Sequence, residues 1–192
     1  MKACVLLGNT RKKSSTEATV KLFTDELSAK GVQVKTFALR EKNIQTCVGC
    51  DNCHSVMDSF GCVIKDDMRE IAEEILLSDL VVFSSPIYTW FATPPMKALM
   101  DRLYAFAKFS DTVDMFNLMK KQHFALIATS GDECESNCDL LAEAINRLAK
   151  FAKRPYFGYF AAQDKGYENV NRKEVVDGAR TFAEKCLAGL GQ

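Results

Sequence analysis

The chain has 192 residues, of which 47% are apolar and 26% are charged, and its 25 acidic residues balance its 25 basic residues. This composition is typical of a globular protein, and the balanced charge argues against the basic surfaces that nucleic-acid and membrane binding require. No window approaches the ~18 apolar residues of a membrane span, and the apolar run at 4–7 is too short for a secretory signal, so we expect one cytoplasmic domain over residues 1–192.

Short apolar runs alternate with segments of helical periodicity along the chain. The runs predict strands at 3–7, 32–37, 80–84, 123–128 and 156–161. The third and fourth runs are continuous, as in the centre of a parallel sheet, whereas the second alternates like an edge strand. Amphipathic helices between the strands would cover both faces. We therefore expect an α/β fold, namely a doubly wound five-stranded parallel sheet in the order 2-1-3-4-5.

A polar loop containing Arg11 follows the first strand and ends in Ser14-Ser15-Thr16-Glu17. Ser14 and Glu17 have the spacing of a capping box, which predicts the N-terminus of the first helix. Unpaired backbone N–H groups and the helix dipole favour an anion there, and Arg11 and the three hydroxyls add donors. A phosphate monoester is the ligand that this pattern favours. The alternative is an ordinary capped helix beside a solvated basic loop.

Half of the eight cysteines lie in the one long irregular stretch, residues 40–65, which follows the second strand. Cys47, Cys50 and Cys53 have the spacing C-x2-C-x2-C, which lets a short turn direct three thiolates at one face of a [4Fe-4S] cluster, and Cys62 is the candidate fourth ligand. Zinc more often uses two separated C-x2-C pairs. Reduced cysteines without a metal are the alternative.

The third strand runs into an aromatic segment at the carboxyl end of the sheet, where doubly wound folds bind ligands. Tyr88, Trp90 and Phe91 predict a flat apolar surface suited to a planar heteroaromatic ring, although a dimer contact or a core cluster would use the same residues. Thr93-Pro94 then begins a helix. The whole segment comprises Pro86, Ile87, Tyr88, Thr89, Trp90 and Phe91.

Two further features follow the fourth strand. Thr129, Ser130 and Gly131 lie at the same sheet edge, where the glycine would let backbone N–H groups approach the polar edge of a bound ring. Cys134 and Cys138 lie near the start of the next helix, where a thiol pKa can be lowered. This pair leaves a non-enzymatic redox-sensing module as an alternative function.

Three stretches of the chain resemble a known family. They are GNTRKKSST at 8–16, CVGCDNC at 47–53 with GCVIKDDM at 61–68, and SPIYTWFATPPMKALMDR at 85–102. These stretches resemble the NAD(P)H-dependent FMN reductase and iron–sulfur flavoprotein branches of the flavodoxin-like superfamily. The likeness runs in order over about residues 1–130 and implies a flavodoxin-like fold.

The resemblance implies that FMN is the cofactor and NAD(P)H the reductant. The first loop would hold the FMN phosphate, with Asn9 and Thr10 standing where the family has Ser-Pro. Residues 86–91 and 129–131 would frame the isoalloxazine. The implied function is ping-pong reduction of a small acceptor such as a quinone, a flavin or a nitroaromatic compound, by a homodimer.

The iron–sulfur branch implies a different function, in which single electrons pass between a cluster and FMN. Its ligands here would be the four cysteines of the insert. Eight residues separate Cys53 from Cys62, whereas cluster-binding members have a tighter final spacing. The sequence therefore predicts a flavoprotein and leaves its branch open.

Overall fold

The computed structural model describes residues 1–112, 114–165 and 171–191. Its five strands form one parallel sheet in the order β2-β1-β3-β4-β5, which confirms the predicted topology. The strands are β1 (Lys2–Leu7), β2 (Gln33–Ala38), β3 (Leu80–Pro86), β4 (His123–Ser130) and β5 (Tyr156–Gln163). The helices are α1 (Ser15–Ala29), α2 (Met68–Leu77), α3 (Pro94–Arg102), α4 (Asp139–Phe151) and α5 (Lys173–Leu190). Within the described ranges, no helix is both long and apolar enough to cross a membrane.

Side-chain alternation along β1 divides the hydrophobic core into two layers. Ala3, Val5 and Leu7 are buried against the apolar faces of α1 and α5. Cys4 and Leu6 point to the other face, where they belong to the cluster that includes α2, α3 and α4. Because both faces of the sheet are covered, its central strands consist of continuous apolar residues rather than alternating ones.

The strands at the centre of the sheet extend two residues beyond their predicted ends. The parallel ladder continues through Ser85 paired with Ala128 and Pro86 paired with Thr129. The predicted strands end at residues 84 and 128, but a ladder needs only backbone groups, so hydrophobicity underestimates strand length here. The extension brings polar side chains to the carboxyl edge of the sheet.

The helix starts lie where the capping residues predict them, although the caps work differently. Ser14 Oγ accepts a hydrogen bond from the Glu17 N–H at 3.1 Å, as expected. The return half of the capping box is not used, since the Glu17 carboxylate accepts from Asn9 and Arg40 instead. At α3, the Thr93 hydroxyl donates to the Gly8 carbonyl oxygen at 2.6 Å rather than capping its own helix. Both side chains therefore tie the first loop to its neighbours.

Candidate functional site

Three loops at the carboxyl edge of the sheet surround a pocket of ≈ 240 Å³. Ten of the sequence-predicted residues line it, namely Asn9, Thr10, Arg11, Ser14, Thr16, Pro86, Ile87, Tyr88, Thr129 and Gly131. The other five predicted residues, Ser15, Thr89, Trp90, Phe91 and Ser130, lie outside its lining. The structure therefore brings the first loop, the segment after β3 and the loop after β4 together, as the doubly wound topology predicts.

The first loop enters the pocket through a close backbone approach at Gly8. Its N–H donates to the Ser84 carbonyl oxygen at 2.6 Å. A Cβ atom at this position would lie 2.8 Å from the same oxygen and 3.0 Å from Met96 Cβ, so a side chain does not fit. The chain then turns to Ser14 and begins α1 with its N-terminus at the pocket. Free N–H groups and the positive end of the helix dipole make this wall suited to an anion.

Asn9 shapes the loop through both ends of its buried amide. Its Nδ2 donates to the Arg11 carbonyl oxygen at 2.7 Å and to the Glu17 carboxylate at 3.3 Å. Its Oδ1 accepts from Arg40 at 3.2 Å. These hydrogen bonds hold the first loop in one conformation and so provide rigidity that the ring of a proline at position 10 would otherwise provide.

Two hydroxyl pairs connect the three loops across the pocket. Thr16 at the start of α1 and Thr129 at the end of β4 have their Oγ1 atoms 2.5 Å apart, and both residues are buried. Thr10 Oγ1 and the Tyr88 hydroxyl lie 2.8 Å apart at the exposed side of the pocket. These contacts fix the relative positions of donors that come from distant parts of the chain.

Asp164 completes the pocket and is a residue that the sequence interpretation missed. It follows β5, and its carboxylate lies 3.3 Å from the Arg11 guanidinium. The signal for it was present, because every strand of a parallel sheet ends at the same edge and Asp164 directly follows the fifth strand. Arg11 therefore reaches across the pocket mouth towards an acidic side chain.

The aromatic segment after β3 forms a tight two-residue turn rather than a continuous flat shelf. Tyr88 and Phe91 exchange backbone hydrogen bonds of 2.9 and 3.0 Å. Thr89 and Trp90 between them both have positive φ, 48° and 61°. The Trp90 side chain stands at the tip of the turn and is 55% exposed. Such turns favour Asn-Gly, so a threonine and a tryptophan there are strained.

We expect the Thr89→Asn substitution to increase the free energy of unfolding by up to about 1 kcal/mol, because asparagine tolerates the left-handed conformation that a β-branched residue resists. Thr89→Val, which keeps the β-branch, is the matched control and should show no gain. Chemical denaturation of the three proteins measures the difference. Equal stability of the asparagine and valine variants would contradict strain at this turn.

The four cysteines of the insert surround a second cavity, of ≈ 110 Å³, which also contacts Asp101 and Arg102 of α3. Cys47 and Cys50 are exposed, whereas Cys53 and Cys62 are half-buried. Burial raises the pKa of the Cys53 thiol, and the neighbouring Cys62 raises it further. Within the described ranges, no three His, Cys, Asp or Glu side chains are arranged to hold a single metal ion. The thiols instead border a space between them.

Two fully buried cations lie beside this cavity, and the sequence interpretation did not find them. Arg102 Nη1 and Nη2 donate to the Asp66 carboxylate at 2.8 and 3.1 Å, and Nη1 also donates to the Gln45 carbonyl oxygen at 3.0 Å. Lys108 Nζ donates to the Cys53 carbonyl oxygen at 3.0 Å. A lysine inside the apolar run LYAFAKF is the signal that could have identified Lys108.

The Cys134 and Cys138 pair does not have the properties of an activated dithiol. Cys138 is fully buried, and burial raises its pKa to about 12. Burial also raises the pKa of the Cys134 thiol. Because the thiolate is the reactive form, both residues are poorly suited to redox sensing.

Part of this chain is similar in sequence to curated proteins. An iron–sulfur flavoprotein of Methanocaldococcus jannaschii is 38% identical over 79 residues, which cover 41% of this chain and 39% of that relative. The chain thus matches well under half the length of this curated relative.

Two solved structures share the fold over nearly the whole chain. The crystal structure of RosB with bound 8-demethyl-8-formylriboflavin 5′-phosphate superposes with a TM-score of 0.80 at 14% identity, over 99% of this chain and 79% of that chain. An NAD(P)H:quinone oxidoreductase from Methanothermobacter marburgensis superposes with a TM-score of 0.69 at 15% identity, over 100% of this chain and 96% of that chain. These likenesses confirm the predicted flavodoxin-like fold.

The family itself is shown by a model that matches residues 1–152, described as NADPH-dependent FMN reductase. This match covers the first loop, the cysteine insert, the turn after β3 and the loop after β4. FMN and the oxidoreductase class, both implied by the three sequence stretches, are those of the matched family. The chain belongs to the NADPH-dependent FMN reductase family.

Proposed function

We propose that this protein is an FMN-dependent oxidoreductase that takes a hydride from NAD(P)H and reduces a small acceptor. The observation that carries the proposal is the pocket at the carboxyl edge of the sheet, where the N-terminus of α1 meets the loops after β3 and β4. FMN, when bound, supplies the hydride-transfer chemistry. The protein's own contribution is to hold the phosphate and to leave one side of the ring accessible.

The pocket residues fit an FMN phosphate. The wall at α1 offers backbone N–H donors together with the hydroxyls of Ser14 and Thr16, and Arg11 adds a positive charge. We assign these residues, together with Thr10, to the phosphate. We assign the turn after β3 and the loop at Thr129–Gly131 to the isoalloxazine.

Spectroscopy of the purified protein tests this function directly. We expect FMN to bind the protein and to lose the visible absorbance of its oxidised form when NADPH or NADH is added without oxygen. A quinone should restore it. Since both substrates would use the same open side, initial rates at several quinone concentrations should give the parallel double-reciprocal lines of ping-pong kinetics. Failure of FMN to bind would overturn the proposal.

A second candidate function is favoured by the cysteine cavity, namely an iron–sulfur flavoprotein that exchanges single electrons between a cluster and FMN. Four thiols around one cavity are the ligand number of a [4Fe-4S] cluster. Arg102 lines the same cavity, and its guanidinium would offset part of the negative charge of a cluster held by four thiolates. The residues present therefore fit such a cluster, with Cys47, Cys50, Cys53 and Cys62 as its ligands.

We expect Cys50→Ser to lose most of its iron after anaerobic reconstitution, because a hydroxyl is a poor substitute for a thiolate ligand. Cys134→Ser removes a thiol outside the cavity and should keep its iron. Iron and sulfide analysis, with FMN content as a check on folding, measures both variants. Equal iron content in the two variants would show that Cys50 is not a cluster ligand and would contradict this assignment.

We also propose that the protein is a homodimer in which Tyr88 and Trp90 take part in the contact. Both side chains are about half exposed beside the pocket, at 46% and 55%. Large aromatic side chains are enriched at protein interfaces. Light scattering coupled to gel filtration measures the oligomeric state. We expect the Trp90→Glu variant to be a monomer.

A further inference from the structure

Lys108 is a buried cation without an ion-pair partner among the described residues. The residue is almost fully buried, at 1% exposure, and lies two positions after the short helical turn Leu103–Phe106. In the described part of the chain, no carboxylate lies within ion-pair distance of its Nζ. Burying a lone ammonium is costly unless its donors are satisfied and its charge has a use.

Three carbonyl oxygens surround the Lys108 ammonium. They belong to Cys53 at 3.0 Å, Phe60 at 3.4 Å and Ala105 at 2.8 Å. Only the protonated form of lysine has three N–H donors, so this arrangement is that of a cation. The charge is therefore held inside the protein next to the cysteine insert.

The three contacts explain how the insert keeps its wide final spacing. Cys53 is the third cysteine of the insert, and Phe60 lies two residues before the fourth, Cys62. By binding both carbonyl oxygens, Lys108 joins the two ends of the eight-residue segment between these cysteines. Lys108 follows α3, so the two ends of this segment are fixed by a residue outside the insert. The length of the segment therefore does not separate the thiols of Cys53 and Cys62.

We propose that Lys108 is a positioning residue for a [4Fe-4S] cluster on the insert, where it closes the long segment between Cys53 and Cys62 and supplies a positive charge that favours the reduced cluster. This inference rests on the second candidate function above. Four thiolates give such a cluster a net negative charge, and uptake of one electron adds to it. A fixed cation nearby stabilises the form with the larger negative charge, and the surrounding low dielectric strengthens the effect.

The test uses the full chain with three substitutions at one position. Lys108→Gln removes the charge and keeps a donor, Lys108→Met removes both, and Lys108→Arg keeps both. Each protein is reconstituted anaerobically with iron and sulfide, and its cluster is then titrated with dithionite at controlled potential. We expect the ratio of reduced to oxidised cluster at a fixed potential to fall about tenfold in the glutamine variant, which corresponds to about 59 mV for one electron. The arginine variant should match the parent.

Hydrogen exchange of the iron-free proteins tests the structural half of the proposal. Backbone amides in residues 53–62 should lose protection in the methionine variant and keep it in the arginine variant, since only the latter can bind the carbonyl oxygens. If the methionine variant does not fold, the glutamine variant still reports the potential. Unchanged potential in the glutamine variant, or unchanged protection in a folded methionine variant, would overturn the inference while leaving the cluster in place. A parent protein that binds no iron would overturn the cluster function and this inference together.

Discussion

We expect the free energy of unfolding of the Asp66→Asn variant to be about 3–5 kcal/mol lower than that of the parent protein. Removing one partner of a buried ion pair leaves the other charge without compensation. Asp66 and Arg102 are both almost entirely buried, with side-chain exposures of 0% and 1%. The Asp66 carboxylate also accepts the backbone N–H of Gln45 at 2.8 Å and that of Met68 at 3.1 Å. The substitution therefore weakens the anchor between the cysteine insert and α3.

Two further variants distinguish the loss of a buried ion pair from the loss of an exposed one. Asp101→Asn removes the partner of Lys97 in an exposed pair on the same helix and should cost no more than about 1 kcal/mol. The double variant Asp66→Asn/Arg102→Leu removes both charges and should recover part of the loss. Urea denaturation measures all four proteins. A loss for Asp66→Asn no greater than that for Asp101→Asn would show that the buried pair does not stabilise the fold.

The same ion pair predicts how stability depends on pH. Burial alone would raise the pKa of Asp66, but the hydrogen bonds from Arg102 and from the backbone of Gln45 and Met68 lower it overall. The pKa is thus lower in the folded protein than in the unfolded chain, where it is about 3.9. The stabilisation is fully present above that value and is lost as the pH falls towards the folded pKa. Asp66→Asn should flatten this acid limb of the stability profile.

The fold was predictable from the sequence because its signals are local and periodic. Short apolar runs, some continuous and some alternating, identified the five strands, and Ser14 and Thr93 marked two helix starts. The Glu17 N–H was the expected partner of Ser14, but the partner of the Thr93 hydroxyl was not predictable. The Thr93 hydroxyl reaches Gly8, which is 85 positions away in the chain, and no pattern of spacing encodes such a contact.

The candidate site divides in the same way. Residues on loops at strand ends could be placed together from topology alone, and ten of them line the pocket. Arg102 and Lys108 could not be placed beside the cysteine cavity, because even where an apolar run suggests that a cation is buried, the sequence does not say which oxygen atoms accept its hydrogen bonds. Both bind carbonyl oxygens of the insert, whose irregular backbone has no periodicity from which its path could be inferred.

A second large effect is expected at the N-terminus of α1, the proposed phosphate site, where Ser14→Asp should weaken FMN binding by about 100-fold. Ser14 lines the pocket and caps α1 through its side-chain oxygen. Aspartate is as good an N-cap as serine and interacts favourably with the helix dipole, so the apo protein should keep its stability. The added carboxylate would face the phosphate dianion. Two like charges about 4 Å apart near a protein surface repel by roughly 4 kcal/mol, and ionic screening reduces this towards the 2.7 kcal/mol of a 100-fold change.

Ser14→Asn is the matched control, since it has the size and the capping ability of aspartate without the charge, and it should bind FMN within about tenfold of the parent protein. Riboflavin, which lacks the phosphate, should distinguish the two variants far less than FMN does. Fluorescence titration with both flavins, together with thermal unfolding of the apo proteins, separates electrostatic repulsion from damage to the helix. If the aspartate variant weakens riboflavin and FMN equally, the phosphate lies elsewhere. If the aspartate variant binds riboflavin but not FMN and keeps its stability, the phosphate lies at the N-terminus of α1. Only at that position does an added carboxylate stabilise the helix and at the same time repel a bound phosphate.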